Sequence, residues 1–269
     1  MDHLSLNIWI FSIPLYSICI LTGVLAAALL ISRESKKYKL PKYFISNLIF
    51  YAVMFGILGA RIYYVVFNLD FYLKYPSEIY KMWHGGLAIH GGMIAGLITL
   101  LVYCKKHNVK ILKVLDITLP GVMLAQAIGR WGNFFNGEAH GGIVTKEFLQ
   151  SLCLPKFIID GMYINGNYYH PTFLYESFFC ILGVIIMLLV RNMKKTKTGN
   201  TSAIYFIWYG TLRFFIETLR TDSLMLGNLK VAKLVSILMV VSGIIMFVIT
   251  YKKNPCYKDD KIDEIKARI

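Results

Sequence analysis

Seven apolar runs of membrane-spanning length recur along this chain, near residues 11–32, 45–67, 86–103, 112–130, 172–190, 202–219 and 232–251. Breaks rich in lysine or in turn residues separate them. A spanning helix needs about 20 predominantly apolar residues, so these runs constrain the fold more than any other feature. The composition agrees: 57% of the residues are hydrophobic and 16% charged, against roughly 25% charged in an ordinary soluble domain. That excludes a disordered chain, a nucleic-acid binder built on a polar surface and most soluble enzymes. The expected architecture is an all-α integral membrane protein of about seven transmembrane helices. Residues 1–251 would form a single transmembrane helical domain and residues 252–269 a basic cytoplasmic tail.

The charges are few but lopsided, with 29 Lys and Arg against 15 Asp and Glu, a net +14. Their placement orients the chain. Arg33, Lys36, Lys37, Lys39 and Lys42 follow the first run, against Glu34 alone. Lys105, Lys106, Lys110 and Lys113 follow the third; Arg191, Lys194, Lys195 and Lys197 follow the fifth; Lys252 and Lys253 follow the seventh. The other loops are balanced: Lys74 and Lys81 face Asp70 and Glu78, and Lys146 and Lys156 face Glu138, Glu147 and Asp160. Basic loops stay in the cytoplasm, which puts the amino terminus outside and the carboxyl terminus inside. An odd number of spans satisfies this. The long 131–171 segment then faces outward, and its Gly, Asn and Tyr content predicts a small folded extracytoplasmic element.

The start MDHLSLNIWIF has no basic n-region, so the first apolar run is expected to remain as a span. The five cysteines show no C-x-x-C spacing, so neither a zinc site nor a redox motif is indicated. No G-x-S-x-G, P-loop or H-E-x-x-H pattern occurs.

Charged side chains within a membrane are costly and mark functional sites by default. Here they are Arg61, His90, Arg130, Glu176, Arg213, Glu217 and Arg220. Arg61 suits either a structural pair or a site. His90, between Gly pairs, suits either a packed histidine or a base, its ordinary pKa being about 6.5. Arg130 lies in a stretch, residues 129–142, that adds Asn133, Asn136, Glu138 and five glycines; its turn N–H groups and planar guanidinium make a phosphate cradle. Tyr209, Arg213, Glu217 and Arg220 share one helix face by spacing. Glu176 suits an anchoring role at the interface. Together they describe an Arg-dominated pocket in the outer half of the membrane, suited to an anionic lipid headgroup. An anion transporter would also place arginines in a bundle core, but no internal repeat is visible. A seven-span receptor fits the topology and leaves the Arg130 stretch unexplained.

The stretch GRWGNFFNGEAHGG, residues 129–142, resembles the signature of the prolipoprotein diacylglyceryl transferase family, G-R-x-G-N-F-x-N-x-E-x-x-G. GARIYYV around Arg61, GGLAIHGG around His90, HPTFLYES around Tyr175 and YGTLRFFIETLRTDS resemble further family blocks in the same order. The likeness covers nearly the whole chain. It implies transfer of the diacylglyceryl group of phosphatidylglycerol to the thiol of a lipobox cysteine in a prolipoprotein, with release of glycerol 1-phosphate. It implies a multi-pass protein of the bacterial cytoplasmic membrane. Its partners would be phosphatidylglycerol, prolipoprotein signal peptides and membrane lipids, with no cofactor, metal or nucleic acid. By position, Arg130, Asn133, Glu138 and Gly142 belong to the signature, and His90 matches a histidine discussed as a base. Tyr209, Arg213 and Tyr16 match important family residues. On chemical grounds Arg130 and Arg213 would hold the phosphate, with Asn133 and Glu138 shaping the site; the resemblance implies that Arg61, Tyr209, Gly142 and Tyr16 complete the lipid site. His90, Glu138 or the phosphate itself would take the thiol proton. Two departures stand out. Pro14, Leu15, Tyr16 and Ser17 replace a frequent H-W-Y-G, and Arg220, Thr221, Asp222 and Ser223 replace R-x-P-D.

Overall fold

A computed structural model describes residues 5–8, 11–38, 40, 43–193, 195–221, 225–227 and 229–256. Lys39, Lys42, Lys194, Asp222, Ser223 and the tail beyond residue 256 lie outside them. The chain opens with an antiparallel hairpin, β1 (Ser5–Ile8) and β2 (Phe11–Pro14), in which Ser5 pairs with Pro14. Helices α1 (Leu15–Ser35), α2 (Phe44–Val66), α3 (Leu69–Lys74), α4 (Ile89–Lys106) and α5 (Ile111–Asn136) follow. Then come β3 (Ile143–Val144), α6 (Lys146–Ser151), α7 (Lys156–Gly161), β4 (Tyr163–Ile164) and β5 (Asn167–Tyr169). Helices α8 (Thr172–Asn192) and α9 (Asn200–Leu219), the short pair β6 (Met225–Leu226) and β7 (Leu229–Lys230), and α10 (Val231–Lys253) complete the order.

Each long helix overlaps one of the seven apolar runs, and the differences at the ends have local causes. The first helix starts at Leu15 because residues 11–14 pair as a strand. The third starts at Ile89 because Gly85 and Gly86 take φ of +85° and +74°, which a right-handed helix forbids. The fourth runs on to Asn136, where Gly137 at φ +66° stops it. Its N–H donates to the Phe134 carbonyl and that of Glu138 to the Asn133 carbonyl. These two bonds are the Schellman stop, which favours glycine at this position.

Five of these helices, α1, α2, α5, α8 and α10, are long and apolar enough to cross a membrane, as expected of an all-α integral membrane protein. The other two carry more polarity: α4 opens on His90 and ends on Lys105 and Lys106, and α9 holds Arg213 and Glu217.

The described residues group into two compact units. One comprises Ser32–Val114; the other comprises the residues up to Ile31 and from Leu115 onward. In the first, α2 and α4 meet at small residues. A Cβ on Gly59 would lie 2.8 Å from the Gly91 carbonyl and collide with Ala95. A Cβ on Gly92 would touch the Gly56 carbonyl at 3.4 Å. Between spans, lipid tails are as apolar as leucine, so close backbone approach is what drives helices together.

In the second unit, α5, α8 and α9 enclose Met123, Ala127, Cys180, Val184, Met187 and Tyr205. Glycines again set the neighbours. Gly23 of α1 lies against the Ala125 carbonyl of α5, and Gly210 and Gly243 bring α9 and α10 together. Residues 137–171 form a small folded element, while residues 131–136, expected within it, continue α5. The element's three-stranded sheet has the order β3-β5-β4, and Thr145 caps α6 by accepting the Phe148 N–H at 3.2 Å. Its core of Leu149, Ile158, Ile159, Met162 and Phe173 also receives Trp131 and Phe134 from the end of α5.

Gly59→Val should therefore separate α2 from α4 and lower the melting temperature of the purified protein in detergent by several degrees, the cost of overpacking being about 1–3 kcal/mol. Gly96→Ala, on α4 but with nothing within 4 Å of the added carbon, should leave melting unchanged or raise it slightly.

Candidate functional site

Glu176 lies one turn into α8 and is 2% exposed. A carboxylate buried to that degree needs a cation and hydrogen bonds, and two neighbouring helices supply them. Arg130, near the end of α5, places Nη2 2.6 Å from Glu176 Oε1. Arg213, on α9, places Nη1 3.7 Å from Oε2. The Tyr209 hydroxyl donates to Oε1 at 3.3 Å and receives Arg130 Nη2 at 3.4 Å. One turn further along α9, Glu217, 1% exposed, pairs with Arg213 Nη2 at 2.7 Å. Two arginines and two carboxylates thus form one buried chain of alternating charge. The i, i+4 and i+8 spacing of Tyr209, Arg213 and Glu217 is what lines them up on α9. Arg213 Nη1 is buried and lacks a hydrogen-bond acceptor among the described residues. A cationic N–H left over in a nearly dry site suits an arriving anion.

The rest of the signature folds around this chain. Gly132 lies against Tyr16 of α1; an added Cβ would come within 2.8 Å of the Tyr16 ring. Asn133, Phe134, Gly137, Glu138, His140 and Phe173 line a narrow crevice of about 10 Å³. Glu138 is exposed, with its carboxylate 3.4 Å from Asn136 Nδ2. Ala139 takes φ +56°, an uncommon value for a residue with a side chain, and the Thr172 hydroxyl holds its carbonyl at 2.5 Å. Gly141 and Gly142 exchange backbone bonds with His170 at 3.1 and 3.0 Å, and Gly141 also bridges to Arg220. A Cβ on Gly141 would sit 2.6 Å from the His170 Cβ. A Cβ on Gly142 would meet nothing within 4 Å, so its backbone borders open space. Burial pulls the pKa of His170 below the ordinary histidine value, which keeps its ring neutral near pH 7.

Arg61 and His90 belong to the Ser32–Val114 unit. His90 is exposed, its ring 6.1 Å from that of Tyr63. Arg61, expected to help complete the lipid site, has its guanidinium turned to the backbone of its own unit. It is 6% exposed and all five of its N–H groups are in use. Nε donates to the Ile79 carbonyl at 2.9 Å, Nη1 to those of Gly85 and Gly86 at 2.6 and 2.9 Å, and Nη2 to those of Glu78 and Lys81 at 2.5 and 3.3 Å. The Ala88 N–H bonds the Ala60 carbonyl at 3.1 Å. Arg61 therefore holds the segment that leads into His90, and no N–H remains for a ligand.

Glu176 is central to the site, where the sequence suggested only an interfacial anchor. Lys230 escaped the sequence reading altogether. Its Nζ donates to the carbonyls of Glu217 and Arg220, each at 2.8 Å, and so closes the C-terminal end of α9. A lone lysine just before an apolar run resembles any basic flank, so no sequence signal singled it out.

Arg61→Lys offers three donors on a flexible stem where five planar ones are needed. Hydrogen exchange of residues 78–88 should quicken at least tenfold in this variant while that of α8 and α9 stays unchanged. Equal protection in the loop would remove the assigned role.

The family model for prolipoprotein diacylglyceryl transferase matches residues 4–249 of the chain. Among curated proteins, the chain is 48% identical over 256 residues to the phosphatidylglycerol–prolipoprotein diacylglyceryl transferase of Staphylococcus aureus strain MSSA476. That alignment covers 94% of this chain and 91% of the relative. The proteins of the same name in strains Newman and JH9 match at the same identity and coverage.

Proposed function

The chain belongs to the prolipoprotein diacylglyceryl transferase family, and from that premise we propose how its polar chain of residues serves the reaction. The protein is a transferase that moves the diacylglyceryl group of phosphatidylglycerol to a prolipoprotein, the first step of lipoprotein maturation. The acceptor is the thiol of the lipobox cysteine, and its sulfur attacks the glycerol carbon that carries the phosphate ester. A carbon–sulfur bond forms, the carbon–oxygen bond breaks, and the electron pair leaves with glycerol 1-phosphate. The thiol proton passes to a base. No electron transfer is involved, so the reaction calls for no redox cofactor.

The observation that carries this reading is the Arg130–Glu176–Arg213 bridge. Charge on the phosphate grows as the ester bond breaks, and cations fixed nearby stabilise that growth. Glu176 fixes them. Arg213 Nη1 meets the phosphate, joined by Arg130 as its grip on Glu176 loosens. Tyr209 and Tyr16 flank the headgroup, Asn133 and Glu138 shape its glycerol end, and Gly142 lets the lipid approach the backbone. A free cysteine has a pKa of about 8.5 and reacts only as thiolate. His90 serves as base; Glu138 or the phosphate oxygen is the alternative.

The seven long helices are seven spans, with the amino terminus outside and the carboxyl terminus in the cytoplasm of a bacterium. The clusters that follow α1, α4, α8 and α10 supply the basic cytoplasmic side. The 137–171 element stands on the outer face, where an uncleaved prolipoprotein presents its lipobox. Both substrates reach the site within the cytoplasmic membrane, the lipid laterally and the protein tethered by its signal helix. Nucleic acid has no part in this.

Purified protein given phosphatidylglycerol and a lipobox peptide should release glycerol phosphate. Arg130→Ala and Arg213→Ala should each slow release at least about a hundredfold, as loss of a charge-stabilising donor does, while remaining monodisperse in detergent. Undiminished turnover in both would sink the phosphate assignment. His90→Gln should slow turnover at least tenfold; a fully active variant assigns the proton to Glu138 or the phosphate.

A further inference from the structure

A second buried polar cluster lies on the same three helices as the arginine bridge, at their opposite ends. Pro120 stands inside α5. Proline has no N–H, so the carbonyl four residues earlier, that of Asp116, loses its helical donor. Arg191, at the end of α8, fills the vacancy: Nη1 donates to the Asp116 carbonyl at 2.6 Å. The Asp116 side chain meanwhile caps α9. Oδ2 accepts the Gly199 N–H at 2.6 Å, and Oδ1 accepts the Ser202 N–H at 2.7 Å and the Ser202 hydroxyl at 2.6 Å. Asp116 and Arg191 are both fully buried. A carboxylate at a helix N-terminus satisfies orphan donors and complements the dipole, but here it comes from a different helix and so ties two helices together.

Asp116 thus joins α5 to α8 through its backbone and α5 to α9 through its side chain. The arginine bridge joins the same three helices through Arg130, Glu176 and Arg213. The intervals match. Residues 116 and 130 are 14 apart on α5, residues 191 and 176 are 15 apart on α8, and residues 199 and 213 are 14 apart on α9. At about 1.5 Å per residue each interval is roughly 21–23 Å. Between the two clusters the contacts are mainly apolar, among them Met123, Val184 and Leu212, with two hydrogen bonds beside them, from Gln126 Nε2 to the Tyr205 hydroxyl at 3.1 Å and from Trp208 Nε1 to the Phe179 carbonyl at 2.9 Å; apolar contacts tolerate sliding better than the hydrogen bonds of the Asp116 cluster do.

We infer that Asp116 is a positioning residue. It sets the axial register of α5, α8 and α9 and thereby the spacing of Arg130 and Arg213 across Glu176. This rests on the proposed role of the two arginines. Asp116→Asn keeps the volume but turns one oxygen into an N–H donor, which must face Gly199 or Ser202. The variant should bind phosphatidylglycerol with a KM within twofold of the native value. Its kcat should fall at least tenfold at a temperature where circular dichroism shows it folded. Arg213→Lys should cost at least threefold less in the Asp116→Asn background than in the native protein, because both changes act on one geometry. A crystal or electron-microscopy structure of Asp116→Asn should show the Arg130–Glu176 or Arg213–Glu217 contact lengthened by more than 1 Å.

Native kcat in the folded variant, fully multiplicative losses, or unchanged arginine contacts would each overturn the inference. If Asp116→Asn does not fold, Ser202→Ala removes one bond of the cap. A kcat at least threefold below native supports the register role, and native kcat refutes it. The native protein in the same assay keeps the two claims apart, since failure to release glycerol phosphate counts against the proposed reaction alone. The structural comparison tests the register without any turnover.

Discussion

A carboxylate inside an apolar layer is the constraint on which this site depends. Glu176 is buried, and the cost of leaving an ionised group unpaired there is several kcal/mol. Arg130 and Arg213 come from different helices to meet it, so its pairing requires α5, α8 and α9 to converge at one level. The arrangement leaves room for chemistry beside packing. A cation fully occupied by protein carboxylates has little to offer a substrate, but the 3.7 Å approach to Glu176 and the unused Arg213 Nη1 leave capacity for another anion. Arg61 is the contrasting case: five carbonyls consume every donor, and the same side-chain type becomes a structural tie.

The backbone around the site obeys the other demand of an apolar solvent, that every polar backbone group find a partner. The signature stretch meets it with local devices. The Schellman bonds at Gly137 end α5, Thr172 takes the Ala139 carbonyl, and Gly141 and Gly142 zip onto His170. Glycine is required at Gly141 because the chain passes His170 and Leu219 with no room for a side chain. The turn that reads as a phosphate cradle in the sequence is, in the folded protein, first a set of helix caps.

Small residues and proline do comparable work elsewhere. Gly59 against Gly91, and Gly210 against Ser236, allow the backbone contact that holds helix pairs where apolar side chains alone give no preference over lipid. Pro120 frees one carbonyl, and the protein uses it as an anchor for Arg191. Local exceptions to helix regularity thus become the points at which helices are fixed to one another.

The amino-acid sequence by itself determined the number and approximate place of the long helices, because apolar length is a local property. It also determined the family, through a signature whose residues are contiguous, and the shared face of Tyr209, Arg213 and Glu217, through helical spacing. The starts of α1 and α4 and the end of α5 shifted where the Phe11–Pro14 strand, Gly85 and Gly86, and Gly137 intervened. Partnerships between distant segments were another matter. A lone acid such as Glu176 or Asp116 and a basic flank such as Arg191 or Lys230 look alike in one dimension, whatever they bond. Only the tertiary structure decided that Glu176 unites two arginines, that Arg61 is consumed by a loop, and that Asp116 caps a helix 83 residues away. The physical reason is the range of the information: periodicity and capping act over a few residues, whereas burial of a charge is compensated by whichever group the fold brings within about 3 Å.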